Sequence, residues 1–372
     1  MKRISSMPCL GLLAALALTL AAPAVAHPGE GDAYGLVKRD LKLYFQTLAD
    51  ARVFSGAVLV ARDGKILLQR GYGMADYEEG IRNQSDTVFA VASFTKAFTA
   101  MSIMILEERG LLSVDDTVAE HIPGYPNFDL ITIRNLLNQT SGLFEYLQNP
   151  ALWANIELPH TPVQLLDYFV HEPLGFPPGT QHRYSNSNYV TLGVIIEQVS
   201  GLPFREFIRL NILDPLEMYD TSYDPFEVDF PDKAIGYDDI TSDPPTPTSI
   251  YAHPTIPYSA GAMCSTVEDL YLWDQALYTE TLVSAATLER MFTPGLGNYG
   301  FGWYIDELVV DGQPHKQIWH WGSYFGFVGY ISRLVDDRVT IIIQFNISPT
   351  SDSPEELRPM AEDVAAIVFS HD

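Results

Sequence analysis

Strand-like sequence stands at both ends of this chain and helix-like sequence fills the middle, so segments far apart must share one sheet. Residues 34–53 have helical spacing, with Val37, Leu41, Tyr44, Phe45 and Leu48 on one side. Two strand-like runs, 57–61 and 66–68, flank Asp63-Gly64, a hairpin turn signal. From about Ser93 to Pro254 the pattern changes to helices broken by Pro-rich loops, among them Phe176-Pro177-Pro178-Gly179-Thr180. Strands return at 302–310, 325–334 and 339–345, the last two joined across Asp336-Asp337, and an amphipathic helix is expected over about 355–369. The predicted fold is α/β: one antiparallel sheet flanked by helices, with an inserted, mostly helical lobe. Residues 27–372 then form a single domain, its α/β lobe taking 27–90 and 255–372 and its helical lobe 91–254. A site is expected in the cleft where the lobes meet.

Three short stretches supply chemistry in one order: Ser93-Phe94-Thr95-Lys96, Tyr184-Ser185-Asn186 and His320-Trp321-Gly322. A serine hydroxyl is a poor nucleophile at neutral pH and needs a base within hydrogen-bond reach. Three residues apart on a helix, Ser93 and Lys96 project from one face, which places an amine beside the hydroxyl. Ser93 follows the extended, apolar run Val88-Phe89-Ala90-Val91-Ala92 and opens a helix over about 95–109 that stops at Gly110, a residue suited to the C′ position. The unpaired N–H groups at that helix start favour developing negative charge. Taken singly, each residue has an ordinary reading: Ser93 as a helix cap, Lys96 as a solvated helix residue, Tyr184 as a packing aromatic, His320 as a satisfied strand histidine. Their joint order favours the chemical one.

With these stretches in place, the chain resembles the serine β-lactamase-like, penicillin-recognising hydrolases, in the branch holding class C β-lactamases, D-alanyl-D-alanine carboxypeptidases and related esterases. Similar segments run along nearly the whole chain: Ile131-Thr132-Ile133-Arg134-Asn135-Leu136-Leu137 through Thr140-Ser141-Gly142-Leu143, then Ile212-Leu213-Asp214-Pro215-Leu216-Glu217-Met218, Ser259-Ala260-Gly261-Ala262-Met263-Cys264-Ser265-Thr266 and Tyr299-Gly300-Phe301-Gly302-Trp303-Tyr304. Where class C enzymes carry Lys-Thr-Gly, this chain has His320-Trp321-Gly322, nearer to the His-x-Gly of some peptidases and esterases. That substitution points away from penicillinase activity. Asn138-Gln139 stands where relatives show Thr-His, a change that touches packing near the site.

The resemblance implies an acyl-enzyme on Ser93, with the tetrahedral intermediate held by the backbone N–H groups of Ser93 and of Ser323, just past Gly322 on an edge strand. Lys96 or Tyr184 takes the serine proton, and the sequence leaves the choice between them open. Asn186 orients Lys96 and the substrate amide. His320 lends a proton to the leaving group or binds a substrate carboxylate, which would make activity near roughly pH 6 to 7 sensitive to its charge. Trp319 and Trp321 read equally as sheet packing or as aromatic walls for an apolar acyl or alcohol group. The expected substrate is a small-molecule or peptide acyl donor, hydrolysed as a D-amino-acid peptide or an ester. A β-lactamase is the alternative, and a non-catalytic binder of cell-wall peptides or β-lactams is the rival from another class. No metal or cofactor is called for.

Composition narrows the field further. The formal net charge of −25, from 47 acidic and 22 basic residues, disfavours nucleic acid and anionic membrane surfaces as partners. No Gly-x-Ser-x-Gly elbow, His-Glu-x-x-His pair or glycine-rich phosphate loop occurs. At the N-terminus Lys2 and Arg3 precede an apolar run over about 10–22, and Ala24-Val25-Ala26 fits a signal-peptide cleavage site after Ala26. Residues 1–26 are therefore expected to be an export leader and the protein secreted or periplasmic. Removing it leaves one thiol, Cys264, read as a small buried residue, and no stable membrane insertion.

Overall fold

The computed structural model of the protein describes residues 30–223, 233–249, 252–348 and 357–371. The expected leader over 1–26 lies outside the described residues. Among those described, no helix is long and apolar enough to cross a membrane.

Helix α1 (Glu30–Asp50) leads into strands β1 (Gly56–Arg62) and β2 (Lys65–Tyr72). Their loop, Asp63-Gly64, has φ of 53° and 74°, the left-handed pair that a two-residue hairpin needs to match strand twist. The chain then enters the helical region, whose two long helices are α2 (Thr95–Glu108) and α3 (Asn186–Ser200). It returns through a short turn of helix, Tyr258–Gly261, and helix α4 (Val267–Ala276). Four more strands follow: β3 (Tyr304–Val310), β4 (Gln313–Tyr324), β5 (Phe327–Leu334) and β6 (Val339–Phe345), and helix α5 (Arg358–Phe369) closes the fold.

The six strands make one sheet in the order β2-β1-β6-β5-β4-β3, every neighbouring pair antiparallel. The two chain ends meet at β1 and β6, in register from Gly56↔Phe345 to Arg62↔Val339. This is the sheet expected from the sequence, with one strand added. Pro314, His315, Lys316 and Gly322 dilute the apolar pattern of β4, so periodicity alone does not mark it as a strand.

Alternation along the strands sends neighbouring side chains to opposite faces, and both faces are covered. Ala57, Leu59 and Ala61 of β1 join Ile331, Ile342 and the α2 side chains in one core. Val58 and Val60 turn the other way and pack with Ile341, Ile343, Leu41 and Phe45 of α1, and Val364 and Val368 of α5. At about 1.5–3 kcal/mol for each large apolar side chain buried, neither face is stable uncovered. Helix α2 runs between the sheet and the helical lobe and is buried at every position from Thr95 to Leu106. It ends where the sequence says: Gly110 has φ of 68°, its N–H reaches Glu107 O at 2.9 Å, and Leu111 N–H reaches Leu106 O at 3.1 Å, a Schellman motif.

Candidate active site

Phe89–Ala90 pairs with Cys264–Ser265, and the Val91 N–H bonds Met263 O at 3.0 Å, so the chain arrives at Ser93 tied to the segment before α4. It then bends sharply. Ala92 takes φ of 48°, a left-handed conformation that costs a non-glycine residue about 1–3 kcal/mol and persists only where the surroundings enforce it. Ser93 sits in the middle of the 3-10 turn Ala92–Phe94 that leads into α2, and its side chain is partly exposed. Phe94 is wedged between Phe98 and Trp303, with ring centroids 5.7 and 5.4 Å away, and holds the turn from beneath.

Lys96 lies one turn on, with no accessible surface, and its Nζ stands 3.0 Å from Ser93 Oγ. Its other two partners are Asn186 Oδ1 at 2.8 Å and Ala260 O at 2.7 Å. All three are uncharged oxygens. A neutral amine has two hydrogens and one lone pair, so the Asn186 and Ala260 oxygens take the two N–H bonds and the lone pair is left for the serine hydroxyl. Burial penalises the ammonium form and lowers the Lys96 pKa to about 7, against a smaller upward pull from Glu145. Behind the lysine, Gly302 takes φ of 81°, and a Cβ there would lie 2.9 Å from Lys96 O.

Tyr184 and Asn186 come from the start of α3. The Lys96 Nζ is 4.9 Å from the centroid of the Tyr184 ring. Burial holds the Tyr184 pKa well above 10, and contact with Ser93 offsets only part of that rise. Asn186 is oriented by Glu145, which accepts its backbone N–H at 2.5 Å and its Nδ2 at 3.3 Å, turning Oδ1 to the lysine. Sequence reasoning did not single out Glu145, which also accepts the Leu147 N–H at 3.1 Å and so passes for an ordinary helix cap. From the sequence Gln139 is only a packing change near the site. Its Oε1 accepts from Ser185 N at 3.0 Å and Asn188 Nδ2 at 2.5 Å, fixing the turn that carries Tyr184 and Asn186.

The third motif departs from expectation at His320. The imidazole has no accessible surface; Nδ1 is 2.6 Å from Trp321 O and Nε2 is 3.2 Å from Tyr299 Oη. A carbonyl oxygen only accepts, so Nδ1 carries the hydrogen and Nε2 accepts from the tyrosine. Burial, reinforced by the charge of Lys96, lowers the His320 pKa to about 3. With both nitrogens used inside the protein and no charge change near pH 6 to 7, His320 neither donates to a leaving group nor holds a substrate carboxylate. It props the Tyr299 and Tyr304 rings, 6.1 and 5.6 Å away.

Gly322 and Ser323 do meet the nucleophile's turn. A Cβ on Gly322 would collide with the Val91 carbonyl and lie 2.9 Å from Ser93 N, so only glycine lets β4 approach this closely. β4 is not the edge strand expected for Ser323, because β3 lies outside it. Yet β3 pairs only with Gln313 to Trp319, leaving 320–324 without a partner on that side. The hairpin closes on Tyr324↔Phe327. Alternation of hydrogen-bonded and non-bonded pairs then turns the Ser323 N–H away from β5, to the side of the Ser93 turn. Ser93, Lys96, Tyr184, Asn186, Gly322 and Ser323 thus converge from three segments.

The sequence matches the family described as Beta-lactamase over residues 41–366. Penicillin-binding protein 4* of Bacillus subtilis (strain 168) is 32% identical over 349 residues, covering 88% of this chain and 76% of that protein. Among solved structures, a penicillin binding protein from Bacillus halodurans superposes with a TM-score of 0.75 at 27% identity, covering 86% of this chain and 98% of that one. A D-stereospecific amidohydrolase from Streptomyces sp. superposes with a TM-score of 0.69 at 25% identity, covering 90% and 98%.

Proposed function

Because the chain belongs to the β-lactamase family of serine hydrolases, we propose that it hydrolyses amides or esters of small acyl donors through an acyl-enzyme on Ser93. The observation that carries this reading is the buried Lys96 amine, 3.0 Å from Ser93 Oγ with neutral partners on its other sides. Lys96 takes the serine proton as Ser93 Oγ attacks the carbonyl carbon. The oxyanion is held by the Ser93 and Ser323 N–H groups. Tyr184, kept as a phenol by its raised pKa, gives its proton to the departing amine or alcohol and recovers one from Lys96. Asn186, oriented by Glu145, holds the lysine and faces the substrate amide. Water then cleaves the ester on Ser93 and regenerates the hydroxyl.

Two observations favour a D-amino-acid amide, peptide or ester over a β-lactam. His320 is neutral and buried, so the third motif offers no cation to a β-lactam carboxylate. Phe144, Trp321, Tyr324 and Phe325 are partly exposed on the segments that carry Glu145 and Ser323, a setting for apolar groups. The amidohydrolase likeness agrees with this choice. The test is turnover of p-nitrophenyl butyrate, a D-phenylalanine amide, a D-Ala-D-Ala peptide and nitrocefin by wild type and Ser93→Ala. The proposal expects ester or D-amide turnover that exceeds nitrocefin turnover and vanishes in the variant. Turnover that survives Ser93→Ala rules out the mechanism; stoichiometric labelling of Ser93 without turnover favours a binding protein.

A further inference from the structure

Phe94, Tyr184, Tyr299 and Tyr304 surround His320, their ring centroids between 5.6 and 6.5 Å from the imidazole. Phe94 and Tyr299 are buried, whereas Tyr184 and Tyr304 are partly exposed. Tyr304 opens β3 opposite Trp319, the last pair before the free edge of β4 begins at His320. Trp319 stacks on its ring at 4.6 Å and Tyr299 meets it edge-on at 4.7 Å, so packing sets where its hydroxyl lies.

The hydroxyls of this cluster are not used alike. Tyr299 Oη donates to His320 Nε2 at 3.2 Å, and the neighbouring Tyr189 Oη donates to Leu137 O at 2.7 Å. Tyr184 contacts Ser93. Among the described residues the Tyr304 hydroxyl has no hydrogen-bond partner. Burial pushes its pKa up to about 12, so it remains a donor at neutral pH. Its oxygen is near enough to that of Tyr184 for ionisation of one to oppose ionisation of the other.

Resting on the Ser93 reading above, we propose that Tyr304 determines specificity for the leaving group: its hydroxyl donates to an acceptor which that group carries, such as the carbonyl of a departing amino acid residue. Tyr184 protonates the departing atom, so the leaving group lies on the Tyr184 side of Ser93. Tyr184 contacts Ser93 and Lys96 directly, while Tyr304 stands one ring further off, across His320 and Tyr299. It therefore meets what the departing atom carries and not that atom. As the bond to the carbonyl carbon breaks, its electron pair stays on the departing atom, which takes the Tyr184 proton; Tyr304 keeps its own. An apolar leaving group of the same shape leaves the Tyr304 hydroxyl desolvated and unpaired, and is disfavoured for that reason.

The experiment compares two D-phenylalanine esters that differ in the leaving alcohol: 2-hydroxyacetamide, which has an amide carbonyl, and isobutanol, of similar shape without one. The quantity read is the ratio of their kcat/KM values, in the full chain and in Tyr304→Phe, which keeps the ring and its stacking. The intrinsic reactivities of the esters cancel between the two proteins, and the ratio does not depend on the fraction of variant that is folded. Tyr304→Phe should lower the ratio of amide-bearing to isobutyl ester by about 3- to 10-fold. A merely structural role lowers both esters alike and keeps the ratio. An unchanged or raised ratio, or a variant that turns over neither ester, overturns the proposal and leaves the Ser93 reading standing. Turnover of neither ester by wild type also overturns it, and the Ser93 reading falls with it only if the substrates named above are not turned over either.

Discussion

Two cations are buried among the described residues, Lys96 without accessible surface and Arg333 with 1%, and they are treated in opposite ways. Arg333 faces Asp274, itself fully buried and held by Thr340 Oγ1 at 2.6 Å and Gln275 Nε2 at 2.7 Å. Lys96 meets only the neutral oxygens of Ser93, Asn186 and Ala260, and the Glu145 carboxylate reaches it through Asn186. A countercharge makes a buried cation a structural fixture. Without one, desolvation loosens its proton, and Lys96 arrives at a pKa of about 7, where it gains and loses a proton at working pH. Phe94 of the Ser93 turn, Trp303 and Phe292 pack ring against ring in a line that ends under the Arg333 guanidinium.

The sharpest way to break this comparison is to remove the amine. Lys96→Ala should lower kcat/KM for an ester by about 10²–10⁴-fold while circular dichroism and melting remain near wild type. Lys96→Arg should be nearly as inactive, because a guanidinium does not deprotonate. A folded Lys96→Ala with near-normal turnover would remove the lysine from the mechanism. The converse holds at the other site: Asp274→Asn leaves Arg333 uncompensated and should cost about 3–5 kcal/mol in urea unfolding, with activity per folded molecule kept. A stability loss below about 1 kcal/mol would show that Arg333 needs no countercharge.

A finer adjustment comes from Glu145. Acylation needs neutral Lys96, so the rate climbs as pH rises through the lysine pKa near 7 and levels off above it. Glu145 raises that pKa, and Glu145→Gln should therefore move the acid limb of the rate profile to lower pH. A limb that stays in place or moves upward would mean that Glu145 acts only through the Asn186 hydrogen bonds.

Much of this was legible in the sequence, because local spacing carries it. Ser93 and Lys96 share a helix face whatever the rest of the chain does, the Gly110 stop requires only its own left-handed turn, and Asp63-Gly64 sets its hairpin alone. What escaped depends on contacts between remote segments. Ala260 O reaches Lys96 by its backbone, which no residue type announces. Glu145 looks like a cap, and Gln139 like a substitution in a turn. His320 shows the limit most clearly. Its identity and motif suggested a titrating group in the cleft, while Tyr299 and the Trp321 carbonyl, together with complete burial, make it a neutral prop. Burial is a property of the assembled fold, and the motif His320-Trp321-Gly322 does not encode it.

The claim at the centre of this account is that the Lys96 amine is easily deprotonated where Arg333 keeps its countercharge. Heteronuclear NMR of lysine-labelled protein, following Lys96 Nζ and Cε through pH and assigned by Lys96→Arg, measures this directly. The account predicts a midpoint at about 7. A midpoint near the ordinary 10.5 would contradict it.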